Sequence, residues 1–309
     1  MKKGLVFRST GSWYKVESEG VFYACRIRGK LRLKGIKSTN PIAVGDRVIF
    51  KVDNQATEPK GTIIDIEQRQ NYIVRKSVNL SKQTHIIASN IDQVFLIITL
   101  QNPPTSTAFI DRFLVTAEAY QIPSILLFNK LDTCTPKQVK AIDDLAAIYN
   151  KIGYQTLKIS ATEGLNIDGI ECMMQDKVSM FSGHSGVGKS TLVNAISPDL
   201  NIKTAAISKQ HQQGMHTTTY AEMFALTKGI KIIDTPGIKG FGVVDMKPEE
   251  IGNYFPEFYK RKNKCKFHNC LHHNEPKCAI IGAVEAGKIS SSRYASYLQM
   301  LEDDTLYRN

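Results

Sequence analysis

Long apolar runs are missing from the 309 residues; stretches such as Val94 to Leu100 are far too short to cross a bilayer. The start, Met1-Lys2-Lys3-Gly4, leads into alternating strand-like residues and not into the apolar core of a secretion signal. Internal repeats and low-complexity tracts are absent too. The six cysteines form no disulfide framework, because three are scattered and three fall within 14 residues. These absences point away from membrane and secreted classes and toward the cytoplasm. Acidic residues are scarce only locally: residues 1–82 carry 17 Lys and Arg against 7 Asp and Glu, while the rest is nearly balanced. A concentrated basic surface suits a polyanion, and RNA is the obvious cytoplasmic one.

Three regions follow from the patterning. Residues 1 to about 70 hold short runs rich in β-branched and aromatic residues, including Val21–Ile27 and Arg47–Val52. Turn glycines at positions 11, 20, 29 and 45 punctuate them. About five short strands in so few residues predict a small barrel of the OB type. Residues 71–90 read as a polar connector. From about 91 to 236 strands and helices alternate, which predicts βαβ units around a parallel sheet. Beyond about 245 the chain reads as helical around a compact Cys/His cluster. The expected boundaries are 1–72, 73–242 and 243–309. The fold class is thus multidomain: an all-β OB barrel, a P-loop α/β domain and a mainly helical metal-binding domain.

The second region carries the chemistry. Gly183-His184-Ser185-Gly186-Val187-Gly188-Lys189-Ser190 fits G-x-x-x-x-G-K-[ST], with Ser182 before it, between the expected strand Val178–Phe181 and a helix from Lys189 that includes Thr191. Glycines there let backbone N–H groups wrap phosphates, Lys189 reaches the β- and γ-phosphates, and the Ser190 hydroxyl suits Mg²⁺. Asn129-Lys130-Leu131-Asp132 ends the strand Ile125–Phe128. A carboxylate at Asp132 can accept hydrogen bonds from N1–H and the exocyclic amine of guanine, a donor pair that adenine lacks. Ser160-Ala161 ends another strand and resembles the loop whose backbone N–H meets the guanine O6. Together these residues select GTP.

Asp234-Thr235-Pro236-Gly237 fits D-x-x-G, with Asp234 placed for Mg²⁺ and the Gly237 N–H for the γ-phosphate. Gly214-Met215-His216-Thr217-Thr218-Thr219 reads as a switch loop; Thr218 or Thr219 is the expected Mg²⁺ ligand. The residue after Gly237 is Ile238, which cannot orient water, so His216 becomes the candidate catalytic group beside Lys189. The motif order is circularly permuted, since N-K-x-D and S-A precede the phosphate loop.

The last cluster, Cys265-x4-Cys270-x-His272-x5-Cys278, offers three thiolates and an imidazole, a set that suits one structural Zn²⁺. His268 and His273 compete as ligands. A basic run from Lys260 to Lys266 surrounds the first cysteine and adds a second possible RNA contact.

Permuted GTPase motifs, a basic barrel in front and C-x4-C-x-H-x5-C behind resemble the bacterial family of small-ribosomal-subunit-dependent GTPases (RsgA or YjeQ family). The resemblance spans essentially the whole chain and includes Gly11-Ser12-Trp13-Tyr14, Val44-Gly45-Asp46 and Phe255-Pro256-Glu257-Phe258. It implies an OB barrel, GTP hydrolysis to GDP stimulated by the small subunit, late maturation of that subunit with contact to its rRNA, and zinc on Cys265, Cys270, His272 and Cys278. A monomer without membrane attachment is expected. The competing readings are an RNA-binding nucleotide switch with negligible turnover and a permuted GTPase acting on the large subunit.

Overall fold

The structure, a computed structural model, describes residues 1–27, 41–76, 84–198, 221–234 and 246–306. Strands β1 Lys2–Ser9, β2 Tyr14–Ser18, β3 Val21–Ile27, β4 Arg47–Val52 and β5 Lys60–Ile66 come first. They are followed by β6 Tyr72–Lys76, β7 Thr84–Ser89 and β8 Gln93–Ile98. Alternation then begins with α1 Thr107–Ala119, β9 Ser124–Phe128, α2 Pro136–Ile152 and β10 Gln155–Lys158. It continues through α3 Ile167–Met174, β11 Val178–Ser182, α4 Lys189–Ile196, β12 Glu222–Ala225 and β13 Lys231–Asp234. The last helices are α5 Pro248–Ile251, α6 Pro256–Tyr259, α7 Ala279–Glu285 and α8 Ser291–Leu306. No helix among the described residues is long and apolar enough to cross a membrane.

Two compact units are present. The first comprises Met1–Val94, Asp168–Phe181 and Ile196–Ile238. Its front is a closed barrel in which β1 pairs with both β2 and β4, and the order around the wall is β1-β2-β3-β5-β4. β3 and β5 run parallel while the other barrel pairs are antiparallel, the pattern of an OB-fold. Period-two alternation points Val6, Tyr14, Val16, Cys25, Phe50 and Ile63 inward, all buried.

The V-G-D tripeptide has a clear structural reason. Asp46 is fully buried and accepts from Arg69 Nε at 2.7 Å, from Ser89 Oγ at 2.6 Å and from the Ala43 N–H at 2.8 Å. A buried carboxylate needs such partners, and here they tie the barrel to the segment behind it.

That segment corrects one expectation. Residues 71–90 contain an antiparallel hairpin, β6 with β7, where a polar connector was expected. Ile73, Ile86 and Ala88 are the buried apolar residues among those described in the two strands. A second difference is β12, which runs antiparallel to β13 and joins β1 through Arg8 opposite Glu222. The alternating region is therefore a mixed sheet, with β11 parallel to β13.

The second unit comprises Phe95–Ile167, Ser182–Ala195 and Lys239–Asn309. β9 lies between the Phe95–Ile98 part of β8 and β10, parallel to β10. Every residue of β8 is buried, and after Gln93 it is a continuous apolar run, Val94 to Ile98. α2 starts where Thr135 and Gln138 form a reciprocal capping box with Pro136 in the first turn. α1 packs along α8, and Val115 joins Met246, Ile251, Phe255, Phe258, Ile280 and Tyr297 in one core.

Within this unit a buried ion network crosses from α1 to the C-terminal helices. Arg293 of α8 is fully buried, with Nη1 2.7 Å from Asp111 Oδ1 and Nε 2.8 Å from Glu257 Oε1. Tyr149 Oη donates to Asp111 at 2.8 Å, and the Arg293 guanidinium lies 4.4 Å from the Phe255 ring centre.

Candidate nucleotide and metal sites

β11 ends at Ser182, six residues of loop follow, and α4 begins at Lys189. Gly183 and Gly188 hold φ values of 143° and 99°, which L side chains rarely adopt. A Cβ on Gly183 would sit 2.6 Å from the Ile97 carbonyl oxygen, and one on Gly188 would sit 2.5 Å from Asn129 Nδ2. Both positions therefore demand glycine twice over, by torsion and by space. The neighbours that fix the two glycines, the Ile97 backbone and the Asn129 side chain, lie far away in sequence.

Asn129 makes the tie that organises this site. Its Nδ2 donates to the Val187 carbonyl at 2.8 Å, and its Oδ1 accepts from the Ala161 N–H at 3.1 Å. One buried amide thus joins the glycine-rich loop to the loop after β10. Lys130 takes a left-handed backbone, φ 64°, and its Nζ donates to the Gly186 carbonyl at 2.8 Å and to the Asn102 carbonyl. The side chain thereby lies along the rim of the glycine-rich loop.

Leu131 and the exposed Asp132 form a short 3-10 turn. Asp132 Oδ1 accepts from Ser160 Oγ at 2.6 Å, and the same hydroxyl accepts from the Glu163 N–H at 3.1 Å. Ser160 and Ala161 are buried behind it. Lys189 Nζ donates to the Gly183 and His184 carbonyls at 2.6 and 2.7 Å. The His184 ring stacks on Phe109, with centroids 3.9 Å apart. Burial and the adjacent Lys189 charge lower the His184 pKa from its ordinary value.

The structure thus brings Asn129, Lys130, Leu131, Asp132, Ser160, Ala161 and residues 182–191 together within the second unit. Asp234 closes β13 in the first. His216, Thr218, Thr219 and Gly237 lie outside the described residues. Phe109 and Asn102 carry no motif, and only the contacts just described bring them to the site.

The Cys/His cluster closes on itself. The Sγ atoms of Cys265, Cys270 and Cys278 and one ring nitrogen of His272 all lie within 4.8 Å of one another. His272 Nδ1 is 3.6 Å from Cys265 Sγ and 3.4 Å from Cys278 Sγ, and those two sulfurs are 4.0 Å apart. Zn–S bonds of about 2.3 Å in a tetrahedron require S···S edges near 3.8 Å, so the donors fit such an ion. His268 and His273 are not in the group. Glu275 accepts the N–H groups of Leu271 and His273, while Tyr294 Oη donates to the His272 carbonyl at 2.8 Å. These bonds hold the knuckle independently of the donors.

The barrel presents a different surface. Trp13 and Phe22 are exposed, the Arg26 guanidinium lies 3.8 Å from the Trp13 ring centre, and Lys15 Nζ lies 4.3 Å from that of Phe22. A shallow cleft of about 690 Å³ here includes Arg8, Tyr23 and Lys60 in its lining. Cations interleaved with exposed rings suit stacking on nucleobases and contact with phosphates.

Comparison with known proteins agrees along the whole chain. The sequence profile described as RsgA GTPase matches residues 66–244, and that of the RsgA N-terminal domain matches residues 3–63. A relative from Christiangramia forsetii called small ribosomal subunit biogenesis GTPase RsgA is 62% identical, over 98% of this chain and 96% of its own. One from Bacteroides thetaiotaomicron, small ribosomal subunit biogenesis GTPase RsgA 2, is 54% identical over 97% and 96%. Among solved structures, YjeQ from Thermotoga maritima superposes with a TM-score of 0.79 at 34% identity, covering 98% of both chains. YloQ, described as a circularly permuted GTPase, gives 0.77 at 31% identity, covering 98% of this chain and 94% of that one.

Proposed function

The chain belongs to the RsgA GTPase family, and we propose that it hydrolyses GTP to GDP and phosphate while assisting late maturation of the small ribosomal subunit, which stimulates the reaction. The observation that carries the nucleotide reading is the Asn129 side chain, bonded at once to the Val187 carbonyl and the Ala161 N–H. The tie holds the glycine-rich loop and the loop after β10 in one register, as a site that grips a phosphate group and a base together would require.

In this reading Asp132 would take the guanine N1–H and amine, and the Ala161 N–H would pass from Asn129 Oδ1 to guanine O6 or be shared between the two. Asn129, Lys130 and Leu131 shape the base pocket with Ser160 behind it. Ser182 to Ser190, with Thr191 in the first turn of α4, form the phosphate cradle. Lys189 exchanges its Gly183 and His184 carbonyl partners for phosphate oxygens and stabilises the charge that develops during transfer. Mg²⁺, arriving with GTP, would be held by Ser190, Asp234 and one of Thr218 and Thr219, and would neutralise charge between the β- and γ-phosphates. The Gly237 N–H would meet the γ-phosphate, and His216 would orient the attacking water.

Residues 1–72 form the rRNA-contacting barrel, 73–242 the nucleotide domain and 243–309 the zinc-binding domain, with Zn²⁺ on Cys265, Cys270, His272 and Cys278. The protein acts in the cytoplasm as a monomer. The test is GTP turnover by the full chain with isolated small subunits, with large subunits and with neither. Stimulation by small subunits alone supports the proposal. Stimulation by large subunits, or turnover that stays negligible throughout, contradicts it.

A further inference from the structure

Phe109 lies outside every motif, yet it touches the glycine-rich loop. It occupies the first turn of α1, where Ser106 Oγ accepts its backbone N–H at 3.2 Å. Its ring meets the His184 ring at a centroid distance of 3.9 Å and an interplanar angle of 32°. His184 is the second residue of the loop, and its carbonyl accepts Lys189 Nζ at 2.7 Å. The stack therefore braces one of the two loop residues whose carbonyls hold the phosphate-binding lysine, the other being Gly183.

Bracing works only if the support is itself fixed. Two residues along α1, Asp111 is locked to Arg293 and Tyr149, and Arg293 is locked to Glu257. α1 also packs along α8. From the N-cap at Ser106 to the ion network, the helix has little freedom to follow a displaced loop.

We propose that Phe109 is a positioning residue for nucleotide binding: packed on His184, it presets the phosphate loop for the β- and γ-phosphates. This rests on the reading of residues 183–190 as the phosphate cradle. A loop preset before binding avoids an ordering loss on binding, so the benefit appears as nucleotide affinity more than as turnover at saturation. An aromatic pair of this geometry corresponds to about a two- to tenfold change in affinity.

The full-length chain is tested as Phe109→Leu and Phe109→Tyr, using a fluorescent GDP titration, steady-state GTP turnover and thermal melting. Leucine keeps apolar burial and removes the ring; tyrosine keeps the ring. The expected result is a two- to tenfold weaker GDP affinity and higher KM for GTP in Phe109→Leu, with kcat within twofold and melting like the parent. Phe109→Tyr should match the parent in all four. Parental affinity in Phe109→Leu overturns the proposal, as does a weakening that both variants share in proportion to a lowered melting temperature. Lys189→Ala serves as the reference. If that variant keeps parental GDP affinity, the cradle reading fails and the role of Phe109 fails with it. If it loses affinity while Phe109→Leu does not, only the positioning role is refuted.

Discussion

Arg293→Met should destabilise the second unit more than any surface change, and the effect should depend on pH. Arg293 is fully buried and serves two carboxylates, Asp111 and Glu257, themselves nearly inaccessible. Methionine fills similar volume but leaves both acids without their counter-charge. Removing one partner from a buried ion pair destabilises by about 3–5 kcal/mol. For a unit of this size each kcal/mol lowers the melting temperature by roughly 2–4 °C, so a drop of about 6–20 °C is expected.

The pH dependence follows from Asp111. Burial holds its pKa above the ordinary carboxylate value, while the Arg293 charge acts to lower it. Without the guanidinium that opposing attraction disappears, and the pKa rises further. A carboxyl whose folded pKa exceeds its unfolded one is stabilising when protonated, and that stability is lost as pH rises through the folded pKa. The gap between variant and parent should therefore be widest near pH 7 and narrow toward pH 5. Thermal melts at both pH values, with amide exchange of α1 and α8, measure it. Adding Asp111→Asn and Glu257→Gln to Arg293→Met should recover much of the loss. A drop under about 2 °C, or a gap equal at pH 5 and pH 7, would refute the argument.

Other perturbations address the site directly. Asp132→Asn should weaken GTP by about 10- to 100-fold and shift preference toward xanthosine triphosphate, because the charge-assisted pair to guanine is lost; an unchanged base preference contradicts the assignment. Cys270→Ala should lower bound zinc well below one equivalent in metal analysis, and full retention would sink the ligand set. Replacing Arg8, Lys15 and Arg26 by Glu should weaken small-subunit binding and flatten its logarithmic salt slope by about 2, since each lost phosphate contact removes about 0.7–0.9; an unaltered slope removes the barrel from the RNA contact. His216→Ala should bind nucleotide normally and lose most small-subunit-stimulated turnover; survival of that turnover places the water-activating group elsewhere.

What could be read from the chain alone follows the range of the interactions involved. The glycine-rich loop, N-K-x-D and the Cys/His cluster stand out in the sequence because a site for phosphate, guanine or a tetrahedral ion would need donors at short fixed spacing. The barrel was legible from strand-length alternation between glycine turns. The β6–β7 hairpin was not, because Ile73, Ile86 and Ala88 are too few buried positions to outweigh the polar residues between them. β12 escaped for a related reason: four residues, of which only Met223 is buried, carry almost no period. The sequence favoured His272 but left His268 and His273 as competitors, and the coordinates place only His272 with the three thiols.

Arg293 is the sharpest case. It follows Ser290-Ser291-Ser292, where an arginine reads as an exposed charge at the start of a polar helix. Its partners lie 36 and 182 residues earlier, so no local pattern signals burial. The same holds for Asn129, whose motif points to guanine while its side chain binds Val187, 58 residues later, and Ala161. A buried polar group is tolerated only when its partners arrive from elsewhere in the fold. Motifs therefore point to residues that suit a ligand. The contacts that fix their surroundings, the Asn129 amide between two loops, the Phe109 ring against His184 and the Arg293 charge between α1 and the C-terminal helices, become visible only when distant segments are brought together.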